Sequence, residues 1–312
     1  TVYLPIDTIK NVNKFLDIIN PEMAFFVKYE FWPNYLKSLY KRNTPTYLIS
    51  GVFRENHWFF KFYGSWMRKV LGSFTHFFVQ NNSSKKMLSK FNLNNCSVMG
   101  DSRYDRVMEL LNQNNEVLFL KEFKNKKTCI VAGSTWEEDD DLIIKFINSN
   151  SSTNNCWIIA PHQIKLKYIK KIQSQIKLNS ILLSELNFEN SQNINLIIVD
   201  SVGLLTKLYS YADISYVGGG MGRSGLHNTL EPAVYKVPVV IGKNFKNFPE
   251  VSQLIKLNGI ISVSNYDSFE SKIRKLIQSH NMRKEMGEIN FEYIKSKVGA
   301  SKKVMIYLNE RK

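Results

Sequence analysis

Five glycines stand at positions 218, 219, 220, 222 and 225, directly behind the apolar run Ile214–Val217. So many residues without a side chain cost conformational entropy on folding, so the backbone there must take shapes or close approaches that other residues forbid. A strand that opens into a glycine-rich loop and then a helix near Asn228 brings main chain close to phosphate and ribose without side-chain obstruction. A bare tight turn is the structural alternative. The spacing matches neither a Walker loop nor a dinucleotide fingerprint. His227 and Glu231 are four apart and can share a helix face. That suits Glu231 accepting from ribose hydroxyls while His227 or Asn228 meets a polar ligand group.

The rest of the chain repeats the strand-then-helix rhythm. Met23 to Lys28, Thr46 to Ser50, His76 to Gln80 and Ser97 to Met99 read as strands, with helices over Asn34 to Lys41 and Ser83 to Phe91. After the polar stretch Lys121 to Lys127, strands are predicted at Thr128 to Ala132, Cys156 to Ala160, Leu196 to Val199, Ile214 to Val217, Val237 to Ile241 and Ile260 to Val263. Apolar runs without strict alternation point to parallel strands covered on both faces. The reading is therefore an α/β chain of two doubly wound, Rossmann-like domains, residues 1–122 and 123–290. Residues 291–312 form a terminal helical segment that packs back on the first domain. Ligands in such folds bind at the carboxyl ends of strands and in the cleft between domains.

Residues just after strands are accordingly the candidates. Gly133, Ser134 and Thr135 make a small turn whose N–H groups can meet a phosphate, with Ser134 or Thr135 capping the next helix and the acids from Glu137 complementing its dipole. Glu30, beside Phe31, Trp32 and Pro33, is a carboxylate at a strand end, fit to act as a base, orient an acceptor or simply cap a helix. Pro161 and His162 put an imidazole at another strand end, and Arg103 follows a third, where it can meet an anion or serve the surface. Between His57 and Lys69 the chain is both aromatic and basic, as a membrane-interfacial segment or a packed core stretch would be.

The 42 Lys and Arg against 27 Asp and Glu, a formal charge of +15 spread along the 312 residues, favour an anionic partner. Nucleic acid is the poor candidate, because no reader module or aromatic-basic repeat is present. Cys96, Cys129 and Cys156 are far apart and read as buried thiols, with no spacing for a metal site.

The ordered motifs resemble those of the bacterial 3-deoxy-D-manno-octulosonic acid (Kdo) transferases. Glu30-Phe31-Trp32-Pro33 is similar to the family's E-L-W-P, Gly100 to Asp105 to G-N-x-K-F-D, Gly133 to Thr135 to G-S-T, and His227-Asn228 through Ala233 to H-N-P-L-E-P-A. The resemblance implies a GT-B glycosyltransferase, two Rossmann-like domains with an interdomain cleft, the N-terminal one incomplete by about one hundred residues here. It implies metal-independent transfer of Kdo from CMP-Kdo to the 6'-hydroxyl of a lipid A precursor, with inversion, at the cytoplasmic face of the inner membrane. No cofactor is expected. By position, the nucleotide would meet Gly133, Ser134, Thr135, Pro161, His162, Val202, Gly203, Leu204, Gly219, Gly220, His227, Asn228, Thr229, Leu230 and Glu231. Arg103 would meet acceptor or anion, and Glu30 would orient the acceptor or act electrostatically. The family's proposed base lies in a G-S-L-G-E-x-E-like loop without a counterpart in these residues. Three positions depart from the pattern: His162 stands for Arg, Leu204 for an acid and Trp136 for His. Another GT-B nucleotide-sugar transferase, or an inactive relative that binds nucleotide or membrane, is the competing expectation.

Overall fold

The structure is a computed structural model that describes residues 1–150, 152, 154–191 and 193–311. It divides into two compact units, Thr1–Arg106 with the segment from Lys297 onward, and Val107–Ser296. The division at 106 replaces the expected one at 122 for a packing reason. Leu120 and Phe123, on the short helix Leu120–Lys124, are buried in the second unit, where Lys124 pairs with Asp213 at 3.0 Å. The expected break at 290 moves to 296, because the helix His280–Lys295 is continuous and its Asn290 is fully buried. Asn290 Nδ2 donates to the carbonyls of Val237 and Gly259, at 2.8 and 2.9 Å.

The first unit carries the parallel sheet β1 (Ala24–Val27), β2 (Thr46–Gly51), β3 (His76–Val79) and β4 (Cys96–Val98), in that spatial order. Leu48, Phe53, Phe59, Phe74 and Phe77 form the core on one side. On the other side the helix Ala300–Asn309 lays Val304 and Leu308 against Tyr47 and Phe78. The start of that helix is capped by Asp105, which accepts from Gly299 N and Ser301 N at 2.5 and 2.7 Å. β1 departs from the expectation of strands covered on both faces. It is an edge strand whose Phe25 and Val27 are 43% and 48% exposed.

The second unit holds seven parallel strands: β5 (Thr128–Thr135), β6 (Asn155–Pro161), β7 (Ser180–Leu182), β8 (Leu196–Ile198), β9 (Ile214–Val217), β10 (Val239–Ile241) and β11 (Ile260–Ser262). Their spatial order is β11-β10-β9-β5-β6-β8-β7. β7 was not predicted from the sequence: its three residues are all only half-buried, and the short apolar run Ile181-Leu182-Leu183 passes directly into a helical turn. Ile130, Ile143, Phe146, Trp157, Ile159 and Tyr216 lie in the central core. Cys129 and Cys156 face each other across β5 and β6, and all three cysteines are buried and free. The chain leaves β5 for β6 on one side and returns to place β9 on the other. The strand order therefore reverses between β5 and β9, which is where doubly wound sheets open a crevice at their carboxyl ends.

Candidate functional site

The sheet order brings three of the sequence candidates to that reversal point. Gly218 N donates to the carbonyl of Gly133 at 2.9 Å, and His162 N to that of Thr135 at 2.9 Å, so the ends of β9, β5 and β6 are tied side by side. At Gly133 a side chain is excluded, since a Cβ would stand 2.1 Å from Tyr209 Oη and 2.7 Å from Leu205 Cδ1. Leu205 and Tyr209 follow the loop of Val202, Gly203 and Leu204, so this candidate segment too is drawn to the same edge. Val202 is 82% exposed there, and Gly203 has open space around it.

The capping expected of Ser134 or Thr135 does not occur. Both remain in β5, Ser134 with a positive φ of 53° at a register shift that keeps Thr135 paired with Pro161. The helix begins at Glu137, after Trp136, and its fixed point is Asp139. Asp139 is fully buried. Its Oδ2 accepts from Trp136 N at 3.0 Å and Gly219 N at 2.8 Å, and its Oδ1 from Tyr216 Oη at 2.6 Å. One carboxylate thus binds the helix start, the strand β9 and the glycine loop. Burial raises its pKa, and the hydrogen bonds from Gly219, Tyr216 and Trp136 pull against that rise. Sequence reasoning assigned this residue only to the helix dipole. The signal that could have found it is its spacing, three residues after the helix cap, where an acid returns to the cap's backbone N–H.

Gly219 sits in the left-handed region, at φ 86°, and a Cβ there would stand 2.0 Å from the carbonyl oxygen of Gly225. The loop folds so tightly on itself that only glycine serves, which answers the cost noted for this glycine cluster. Gly220 is buried, and its carbonyl accepts from Asn244 N at 2.8 Å. His227 N returns to the Gly218 carbonyl at 3.1 Å.

The loop continues to Thr229, and the helix starts only at Leu230 and ends at Val234. His227 and Glu231 therefore do not share a helix face as expected. His227 turns to Trp136, whose Nε1 donates to His227 Nε2 at 3.0 Å. The His162 ring stacks on Trp136, centroids 4.7 Å apart at 23°, and lies 4.5 Å from His227 at 34°. Burial, and secondarily the neighbouring His162, lower the pKa of His227. Glu231 instead accepts from Asn228 Nδ2 at 3.0 Å, and Asn228 Oδ1 accepts from Leu230 N at 3.2 Å. Thr229 and Leu230 are buried, at 2% and 0% exposure, and Leu230 N is already taken by Asn228, so neither is presented for the contact expected of it.

Glu30 and Arg103 belong to the first unit. Glu30 follows β1, is exposed, and lines a mostly apolar groove of about 370 Å³ with Phe25, Val27 and Trp32. It caps no helix, because Trp32 and Pro33 begin the next one. Arg103 does not stand alone at a strand end. Its Nε and Nη2 bond to Oδ2 of the buried Asp101, at 2.8 and 2.7 Å.

A seven-stranded parallel sheet with its glycine loop at the switch point, in a chain that also holds a smaller parallel unit, is a GT-B-type fold. The structure of UDP-GlcNAc 2-epimerase from Neisseria meningitidis bound to UDP-GlcNAc shares it, with a TM-score of 0.64 at 14% identity, over 97% of this chain and 80% of that one. Residues 1–106 match the family model for 3-deoxy-D-manno-octulosonic-acid transferase. The chain is 26% identical over 317 residues to the 3-deoxy-D-manno-octulosonic acid transferase of Haemophilus influenzae, covering 97% of this chain and 73% of that protein. It is 22% identical over 293 residues to that of Rickettsia typhi, covering 90% of this chain and 61% of that protein. The chain is thus similar to the 3-deoxy-D-manno-octulosonic acid (Kdo) transferases, in residues 1–106 to their family model and over most of its length to these two relatives.

Proposed function

We propose that this chain binds CMP-Kdo at the β9-β5-β6 edge and transfers Kdo to the 6'-hydroxyl of a lipid A precursor. The observation that carries the reading is the convergence of Gly133, His162 and Gly218 on adjacent strand ends, with Asp139 holding the glycine loop above them. Glu231 and Asn228, which already share a hydrogen bond, suit the ribose hydroxyls. Backbone N–H groups of the loop suit the phosphate that leaves with CMP, as inverting single displacement requires. Glu30 takes an acceptor-orienting or electrostatic role. The family resemblance supports chemistry without a metal or other cofactor. In a calorimetric titration, CMP and CMP-Kdo should bind with or without EDTA, and UDP-sugars should not compete. Glu231→Ala should weaken CMP binding by about tenfold without changing the melting temperature by more than a few degrees. Protection by UDP-sugars and not by CMP-Kdo would overturn the assignment.

The acceptor is a lipid, and the segment after His57 supports a place at the cytoplasmic face of the inner membrane. Phe59, Phe60 and Met67 are buried in it, whereas Trp58, Phe62, Tyr63 and Trp66 are 44%, 91%, 57% and 49% exposed beside Lys61 and Lys69. Arg68 Nη1 donates to the carbonyls of Phe59 and Lys61, each at 2.7 Å, which holds the turn that presents these rings. Aromatic rings with flanking cations partition into anionic interfaces. The protein is expected to float with vesicles containing phosphatidylglycerol, and F62S/W66S to float several-fold less. Equal flotation of the two proteins would exclude this segment as the contact.

A further inference from the structure

We propose that Trp136 is a positioning residue that locks His227 in its Nδ1–H tautomer, so that a neutral imidazole presents one N–H donor to an oxygen of the bound nucleotide sugar. This rests on the proposed donor site. An indole Nε1–H can only donate, so at 3.0 Å the facing Nε2 of His227 must accept and cannot carry the proton. Imidazolium and the Nε2–H tautomer both forfeit this bond. The ring is fixed on its other sides as well. Its backbone N–H is spent on the Gly218 carbonyl, its Cδ2 edge lies against Gly219, and His162 covers it at 4.5 Å. Among the described residues Nδ1 has no hydrogen-bonding partner, and it is not sealed from solvent.

The same cluster accounts for two departures from the family pattern together. Trp136 and His162 stack at 4.7 Å, so the ring standing where Arg is usual supports the indole that sets the tautomer of His227. The charge of an Arg at this edge is exchanged for a neutral, directed donor whose orientation two aromatic neighbours enforce.

The test is nitrogen-15 NMR of the imidazoles in the ligand-free protein at pH 8, with calorimetry of CMP binding. The wild type should show His227 with Nε2 unprotonated and Nδ1 protonated. Trp136→Phe keeps the stacked ring but removes the donor; it should shift His227 toward the Nε2–H form and weaken CMP or CMP-Kdo binding about five- to tenfold, with the unfolding midpoint nearly unchanged. In a His227→Ala background, Trp136→Phe should have no further effect on affinity. An Nε2–H signal in the wild type, or unchanged affinity in Trp136→Phe, overturns the proposal. If CMP and CMP-Kdo fail to bind the wild type while the tautomer is as expected, the donor assignment fails and the Trp136–His227 lock stands.

Discussion

Asp139→Ala is expected to destabilise the second unit by about 3–5 kcal/mol and to reduce CMP affinity more than tenfold, whereas Asp139→Asn should cost no more than about 1.5 kcal/mol. The carboxylate is fully buried and takes three donors, Trp136 N, Gly219 N and Tyr216 Oη. Alanine leaves all three without a partner, away from water, and frees the glycine loop from the helix start. Asparagine is almost isosteric. Its Oδ1 can serve the two backbone donors, and its Nδ2 can donate to the Tyr216 hydroxyl, which also accepts. Burial already disfavours the charge, so its removal loses little. Urea unfolding of the two variants, followed by CMP titration, decides the matter. Equal loss in both would make the charge, and not the hydrogen bonds, the essential property. An alanine variant as stable as the wild type would dismiss Asp139 as the anchor of the loop.

The neighbouring carboxylate should respond in the opposite sense. Asp140 is 3% exposed; its Oδ2 accepts from Tyr168 Oη at 2.5 Å while its Oδ1 faces the Thr135 hydroxyl short of a full hydrogen bond. Burial raises its pKa from 3.8 to about 7, with the Tyr168 hydrogen bond opposing the rise. A raised carboxyl pKa means that the folded state holds a proton the unfolded state has released. Stability attached to this group is therefore complete below about pH 4 and is lost as pH rises toward 7. Asp140→Asn removes the titration while retaining an acceptor for Tyr168. Its stability relative to the wild type should grow by roughly 4 kcal/mol between pH 4 and pH 8. Unfolding midpoints at pH 4, 6 and 8 measure this growth. A difference that stays constant across the range would show that Asp140 is ionised throughout.

Several site features were legible because they are local. The apolar runs at 128–132 and 214–217, the glycines from 218 and the acids after Trp136 each announce a strand end or a helix start by period and composition alone. The places where local reading failed share one cause. Ser134 and Thr135 look like helix caps, but tertiary pairing with Pro161 keeps them in the strand. His227 and Glu231 are spaced for one helix face, but the glycine loop delays that helix to Leu230, and their partners become Trp136 and Asn228. Arg103 has the charge to bind an anion, and only the fold shows Asp101 bonded to it.

By itself, the sequence determined the alternation of strand and helix, the parallel α/β class and the order of the motifs that resemble those of the Kdo transferases, because the hydrophobic period and turn chemistry are written in neighbouring residues. Only the tertiary structure decided that β9 pairs with β5 and β5 with β6, which sets the reversal point where residues 133, 162 and 218 meet. It also decided that Asp139 is buried and that Trp136, His162 and His227 form one aromatic cluster. These pairings depend on which distant surfaces pack together to exclude water, and no local pattern encodes them.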